Sequence, residues 1–148
     1  MALENDCALC AEVKNTGRRF YSGKLCVAIV PTSPIAPFHA MVMPKRHVTE
    51  MSDLKAAELK EMFGVMGRMS SFVESHYSGP ALIALNRKGN SSQPHLHFHI
   101  INTPAPAMGI RMLYSAKTGV PFYPECSEAE LARRAKEYSA FVEAEKTD

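Results

Sequence analysis

Apolar and polar positions change their spacing several times along the chain, and each change marks an element. Residues 18–22 and 25–30 are strand-like runs that meet at Ser22-Gly23-Lys24, which predicts a hairpin. Three prolines within seven residues, Pro34 and Pro37 among them, then make 31–37 a loop, because proline cannot donate to a ladder. Residues 38–43 read as the next strand, and 44–47 end it. From Asp53 to Ser75 the period lengthens. Leu54, Leu59, Met62, Met66, Met69 and Val73 fall three to five apart and predict one helix with a broad apolar stripe, Ser52 serving as its N-cap. Gly64 and Gly67 within it are expected to let the helix approach the sheet closely. Residues 81–86 are a buried-strand run, and 87–92 form a polar loop.

The period of two returns most sharply at 93–101, reading QPHLHFHII. On a strand this places His95, His97 and His99 on one face and Leu96, Phe98 and Ile100 on the other. Three of the chain's six histidines lie within these five positions. A metal site and a nucleophilic imidazole both suit such a ledge. After residue 102 the pattern loosens into a proline-rich stretch, a possible short strand at 111–114, and a helix from Ser127 to about Glu145. That helix opens on the capping box Ser127-Glu-Ala-Glu130, and its apolar face is Leu131, Ala135, Tyr138 and Val142.

Composition narrows the classes. The chain has 148 residues, 46% of them hydrophobic, which suits one globular domain with a sizeable core. A net charge of +2 gives no ground for a nucleic-acid or membrane-surface partner. No apolar run approaches the roughly 20 residues of a membrane span. The start, MALENDCALC, lacks a basic segment followed by an apolar one, so no secretory signal is expected and the reading is a cytoplasmic, reducing compartment. There Cys7-Ala-Leu-Cys10 reads as metal or redox chemistry. Too few residues precede Cys7 for the strand that a thioredoxin-like motif follows, and a zinc would need two further ligands. Cys26 and Cys126 read as ordinary thiols. Lys45 and Arg46 are a solvated turn or a positive lip beside an anionic substrate, and the Asn, Gly, Ser and cations of 87–92 suit phosphate oxygens.

The segment His95-Leu-His97-Phe-His99-Ile-Ile101 resembles the signature of the histidine triad (HIT) superfamily of nucleotide hydrolases and transferases. Residues 34–47, ending Pro44-Lys45-Arg46-His47, resemble that family's strand leading into Pro-Lys-x-His, and Asn86 matches a third position. The resemblance runs in order over about 7–102. It implies an α+β fold, an antiparallel five-stranded sheet with one long helix and commonly a homodimer, here with a C-terminal helical extension. The division is a HIT-like catalytic domain at 1–102 and an extension at 103–148, packed on the same domain or on a partner.

The resemblance also implies the chemistry. His97 is the nucleophile that attacks the α-phosphate of a nucleoside phosphoramidate or dinucleoside polyphosphate and carries the nucleotide covalently. His99 donates to a phosphate oxygen or handles the proton. Ser92, Asn86, His39, Leu9 and Ile29 fall at substrate-binding positions. Some relatives, and the related galactose phosphate uridylyltransferases, hold a structural zinc, which carries over to Cys7, Cys10, His47 and His95. Pro94 before the triad adds some likeness to the uridylyltransferase branch. Two departures stand out: Ser91 where many relatives have Gln, and Pro31 where hydrolases carry a ribose-binding Asp. A nucleotide-binding module with little turnover is therefore the alternative to an enzyme.

Overall fold

A computed structural model of the chain describes residues 6–14, 17–77, 79–85, 94–103 and 126–145. Five short apolar runs pair into one antiparallel sheet. They are β1 (Arg19–Ser22), β2 (Cys26–Ile29), β3 (His39–Pro44), β4 (Ala81–Leu85) and β5 (Phe98–Asn102), in the order β1-β2-β3-β5-β4. The first turn depends on Gly23. A Cβ there would collide with the Glu61 carboxylate, whose Oε1 accepts hydrogen bonds from Leu25 N (2.9 Å) and Cys26 N (3.1 Å) and so closes the hairpin.

Alternation along the strands divides the core in two. On one face Cys26, Ala28, Val30, Phe38, Ala40, Val42, Phe98 and Ile100 pack against helix α2 (Ala56–His76) through Met62, Val65, Met66, Met69, Phe72 and Val73. On the other, Val27, Ile29, Met41 and Met43 pack with Cys7, Leu9 and Cys10 at the start of the short helix α1 (Ala8–Lys14). From Met62 to Val73 the stripe read from the sequence is thus the buried face of α2, while Leu54 precedes the helix and Leu59 is half-buried.

The start of α2 differs from expectation. Met51–Asp53 is a separate 3-10 turn, and α2 begins after Lys55, not at Ser52. Glu58 decides this: its carboxylate accepts the Lys55 amide (2.8 Å) and a two-point contact from Arg46 at 3.0 and 2.8 Å, while Arg46 also donates to Asp53 O (2.7 Å). Arg46 therefore braces the Glu58 carboxylate that caps α2, and its charge is paired there rather than standing as a positive lip. The expectation for Gly64 and Gly67 also fails. Both are exposed, on the face of α2 turned away from the sheet, and a Cβ at Gly67 would meet nothing within 4 Å.

Ser127 caps its helix as read, its Oγ accepting from Glu130 N at 3.2 Å. The expected single helix is two: α3 (Glu128–Tyr138) and α4 (Ala140–Glu145), separated at Ser139. The break brings Phe141 into the core beside Leu131, Ala135 and Tyr138, among Phe20, Phe38 and Phe72. The short strand expected at 111–114 lies outside the described residues. None of the described helices is long and apolar enough to cross a membrane.

Candidate active site and metal cluster

The triad is only partly a strand. β5 begins at Phe98, so His95 and His97 precede the ladder. Pro94 has no amide to donate, and the Leu96 amide goes to Val48 O (2.7 Å) instead. Alternation survives the change: Leu96, Phe98 and Ile100 enter the helix-side core, while the imidazoles turn the other way.

A neighbouring group decides the tautomer of each imidazole: a backbone group for His95, His97 and His39, and a side chain for His99. A carbonyl only accepts, so the ring nitrogen facing it carries hydrogen. His97 Nδ1 lies 2.8 Å from His95 O, which makes Nδ1 the donor and leaves Nε2 a lone pair. His95 Nε2 lies 2.8 Å from Pro44 O, so its lone pair is on Nδ1. His39 receives the Ile35 amide at Nδ1 (3.1 Å), so its hydrogen is on Nε2, which donates to His99 Nδ1 at 2.9 Å. His99 then carries its hydrogen on Nε2. The result is one ring offering a lone pair, His97, beside one offering a donor, His99, with centroids 4.9 Å apart.

Burial keeps His39 and His99 neutral. His39 is pushed down to about 3, first by desolvation, then by the neighbouring charges that His99, Arg134 and His97 would present. His99 is pushed down to about 4 by desolvation and then by His97.

The lone pair of His95 points at sulfur. Its Nδ1 lies 3.3 Å from Cys10 Sγ and 3.8 Å from Cys7 Sγ, and His47 Nδ1 lies 3.2 Å from Cys10 Sγ. The four ligand atoms all fall within 4.8 Å of one another. Zinc bonds of ~2.0–2.3 Å give a tetrahedron with edges of roughly 3.3–3.8 Å, so this Cys₂His₂ set can hold a metal ion. The four residues read from the sequence come together, although the two histidines lie 37 to 88 positions from the two cysteines.

Other predicted residues divide. His39 is brought to His99. Leu9 and Ile29 are buried in the second core cluster, where packing accounts for both. Asn86 and Ser92 lie outside the described residues. Cys26 is buried, its thiol raised to about 12 by desolvation and by the Glu61 carboxylate beside it, so it stays an unreactive thiol at neutral pH. Sequence reading missed the groups that orient the rings, namely His95 O, Pro44 O and the Ile35 amide. Every residue has such groups, so no residue type signals them.

A protein-family model described as "HIT domain" matches residues 12–105. Among curated proteins, the bis(5'-adenosyl)-triphosphatase of Dictyostelium discoideum is 35% identical over 85 residues, covering 55% of this chain and 57% of that protein. The asymmetrical bis(5'-nucleosyl)-tetraphosphatase of Schizosaccharomyces pombe is also 35% identical over 85 residues, covering 55% of this chain and 47% of that protein. The chain thus spans about half the length of these relatives. Among solved structures, a Zn-bound histidine triad family protein from Mycobacterium smegmatis superposes with a TM-score of 0.70 at 18% identity, covering 96% of this chain and 99% of that one. A Hit-like protein from Bartonella henselae gives a TM-score of 0.74 at 18% identity, covering 95% and 99%. These two likenesses concern the fold.

Proposed function

The chain belongs to the HIT domain family, and on that premise we propose that it is a hydrolase of dinucleoside polyphosphates or nucleoside phosphoramidates, acting at the α-phosphate through a covalent nucleotidyl-His97. One observation carries the reading. His97 donates Nδ1–H to His95 O, so its Nε2 lone pair is aimed away from the backbone and free to attack. The curated relatives are hydrolases of bis-nucleosyl polyphosphates, which fits this substrate class.

In the first step Nε2 bonds to the α-phosphorus and the bond to the bridging oxygen or nitrogen breaks, its electron pair leaving with that atom. The His99 Nε2–H supplies a hydrogen bond where negative charge develops, and a nitrogen leaving group takes its proton from solvent. In the second step water attacks the phosphorus and the P–N bond breaks. Its electron pair returns to Nε2, giving a nucleoside monophosphate and one released proton. Neutrality matters at both rings, since a protonated His97 has no lone pair.

Zinc at Cys7, Cys10, His47 and His95 belongs to the same reading. Its donor set is closed, so the ion would tie α1 to the segment that carries His97 and leave the reacting atoms to the imidazoles. A homodimer is the third part. Pro31 favours the second reading, a nucleotide-binding module with little turnover. It is buried, and its ring has no group to offer ribose hydroxyls.

The decisive experiment incubates the chain with diadenosine triphosphate, diadenosine tetraphosphate and adenosine phosphoramidate, with mass detection of an adenylylated protein. The adduct should map to His97, and His97→Ala should retain binding while turnover falls by at least about a thousandfold. Turnover unchanged in His97→Ala would sink the covalent route. Binding without turnover in the native chain would favour the binding module.

A further inference from the structure

The C-terminal helix reaches the site from outside the family match, which ends at residue 105. Tyr138 has none of its surface exposed, and its ring stacks on Phe38 with centroids 4.3 Å apart. Its hydroxyl does two things at once. It donates to Pro37 O at 2.6 Å and accepts the His39 amide at 3.1 Å. One turn earlier, Arg134 Nη1 donates to Ala36 O (3.0 Å) and Pro37 O (3.3 Å). From the sheet side, Asn102 Oδ1 takes the Phe38 amide at 2.7 Å. Every polar backbone group from Ala36 O to the His39 amide is therefore engaged, and α3 supplies the partners on either side of Phe38.

This stretch orients the imidazole pair. Ile35, whose amide fixes the tautomer of His39, stands one residue before Ala36, and Pro34 and Pro37 bracket the turn. His39 in turn is the group facing His99 Nδ1. Movement of this turn would break the Ile35 contact, free the His39 tautomer and remove the partner that keeps the His99 hydrogen on Nε2.

We propose that Tyr138 and Arg134 are positioning residues for the hydrolytic reaction, holding the 35–39 turn so that His39 fixes the orientation and tautomer of His99. The inference rests on the hydrolase reading, in which His99 is the donor. It adds that the helix beyond the family match sets the geometry of the reacting groups as well as stabilising the domain. The guanidinium near His39 also discourages its protonation.

The test compares the full-length chain with Tyr138→Phe, Arg134→Met and Leu131→Ala. Leu131 lies on the same helix, buried in the core, and a truncation there weakens docking without touching the turn. Two quantities are read: the imidazole nitrogen resonances of His39 and His99, and kcat and KM for diadenosine triphosphate. Tyr138→Phe keeps the ring and removes only the hydroxyl. It should shift both sets of resonances and lower kcat about tenfold while KM changes by less than about twofold, as expected of a small misplacement of a reacting group. Arg134→Met should do the same. Leu131→Ala should lower the melting temperature at least as far, with resonances and kcat near the native values. Native resonances in Tyr138→Phe, or equal changes in Leu131→Ala, would overturn the proposal. If the native chain hydrolyses no substrate, the hydrolase reading fails while the resonances still decide whether the helix sets the pair.

Discussion

His95, His97 and His99 are chemically identical side chains, and the structure gives each a different task through one contact apiece. Pro44 O turns the lone pair of His95 toward the cysteines, His95 O turns that of His97 outward, and His39 makes His99 a donor. The triad's spacing was enough to read the division of imidazoles from apolar residues, and it holds although His95 and His97 precede the strand. The division of labour among the three could be read only by resemblance, because carbonyl and amide directions depend on neighbouring strands. Burial of His39 and His99 has a consequence for pH. Both are held neutral, at about 3 and about 4, where the unfolded chain would protonate near 6.5. Unfolding therefore takes up protons below that value, and stability that is full above it falls as pH drops toward about 4. Each ring contributes a slope of about 1.4 kcal/mol per pH unit. In urea titrations, the advantage of the native protein over His39→Asn should shrink by about 2 kcal/mol between pH 7.5 and pH 5. A constant difference would show that His39 titrates normally in the fold.

Elements were legible where the period was long and unbroken. The α2 stripe and the strand runs along the chain follow from spacing, whereas the order of the strands in the sheet is set by long-range pairing and the start of α2 depends on Arg46 and Glu58 meeting, a contact twelve residues long that no local rule contains. The break at Ser139 escaped for a similar reason: the apolar face continues through it, and only packing shows that Phe141 takes the core position. Gly64 and Gly67 were misread because glycine in a helix signals close approach without saying to what. They face outward, next to Phe63, which is 54% exposed, and Ile83 on the edge strand β4 is 44% exposed. Exposed apolar side chains and helical glycines beside the last strand of the described sheet are the makings of a contact between two copies of the chain. A dimer through α2 and β4 should therefore be the solution species at micromolar concentration. Light scattering should find half that mass for the Phe63→Glu, Ile83→Lys double variant, with its far-ultraviolet dichroism retained. A monomeric native protein would remove this part of the reading.

Across the whole molecule, the C-terminal helix and the start of α1, both outside the family match, converge on the triad from opposite faces of the sheet. The C-terminal helix holds the turn before His39, and α1 brings Cys7 and Cys10 to His95. Cys10 lies on, and Cys7 just before, a helix of only seven residues, too short to be stable alone, so something must fix it against the sheet. Leu9 contributes packing, and the Cys₂His₂ set supplies the rest if zinc is bound. Because thiolates and imidazoles from the N-terminus, the end of β3 and the start of the triad meet only in the folded chain, binding and folding are coupled. Protein purified without added metal should then contain about one zinc per chain. Chelation should raise amide exchange first in residues 6–14, and later at the triad. Cys7→Ser should lower the melting temperature by several degrees while kcat for diadenosine triphosphate changes by less than about tenfold, since the ion holds His95 and leaves Nε2 of His97 to react. Metal-free protein whose melting temperature does not move when zinc is added would defeat the structural role. Cys7 and Cys10 would then be buried thiols like Cys26, with the orientation of His95 left to the Pro44 carbonyl.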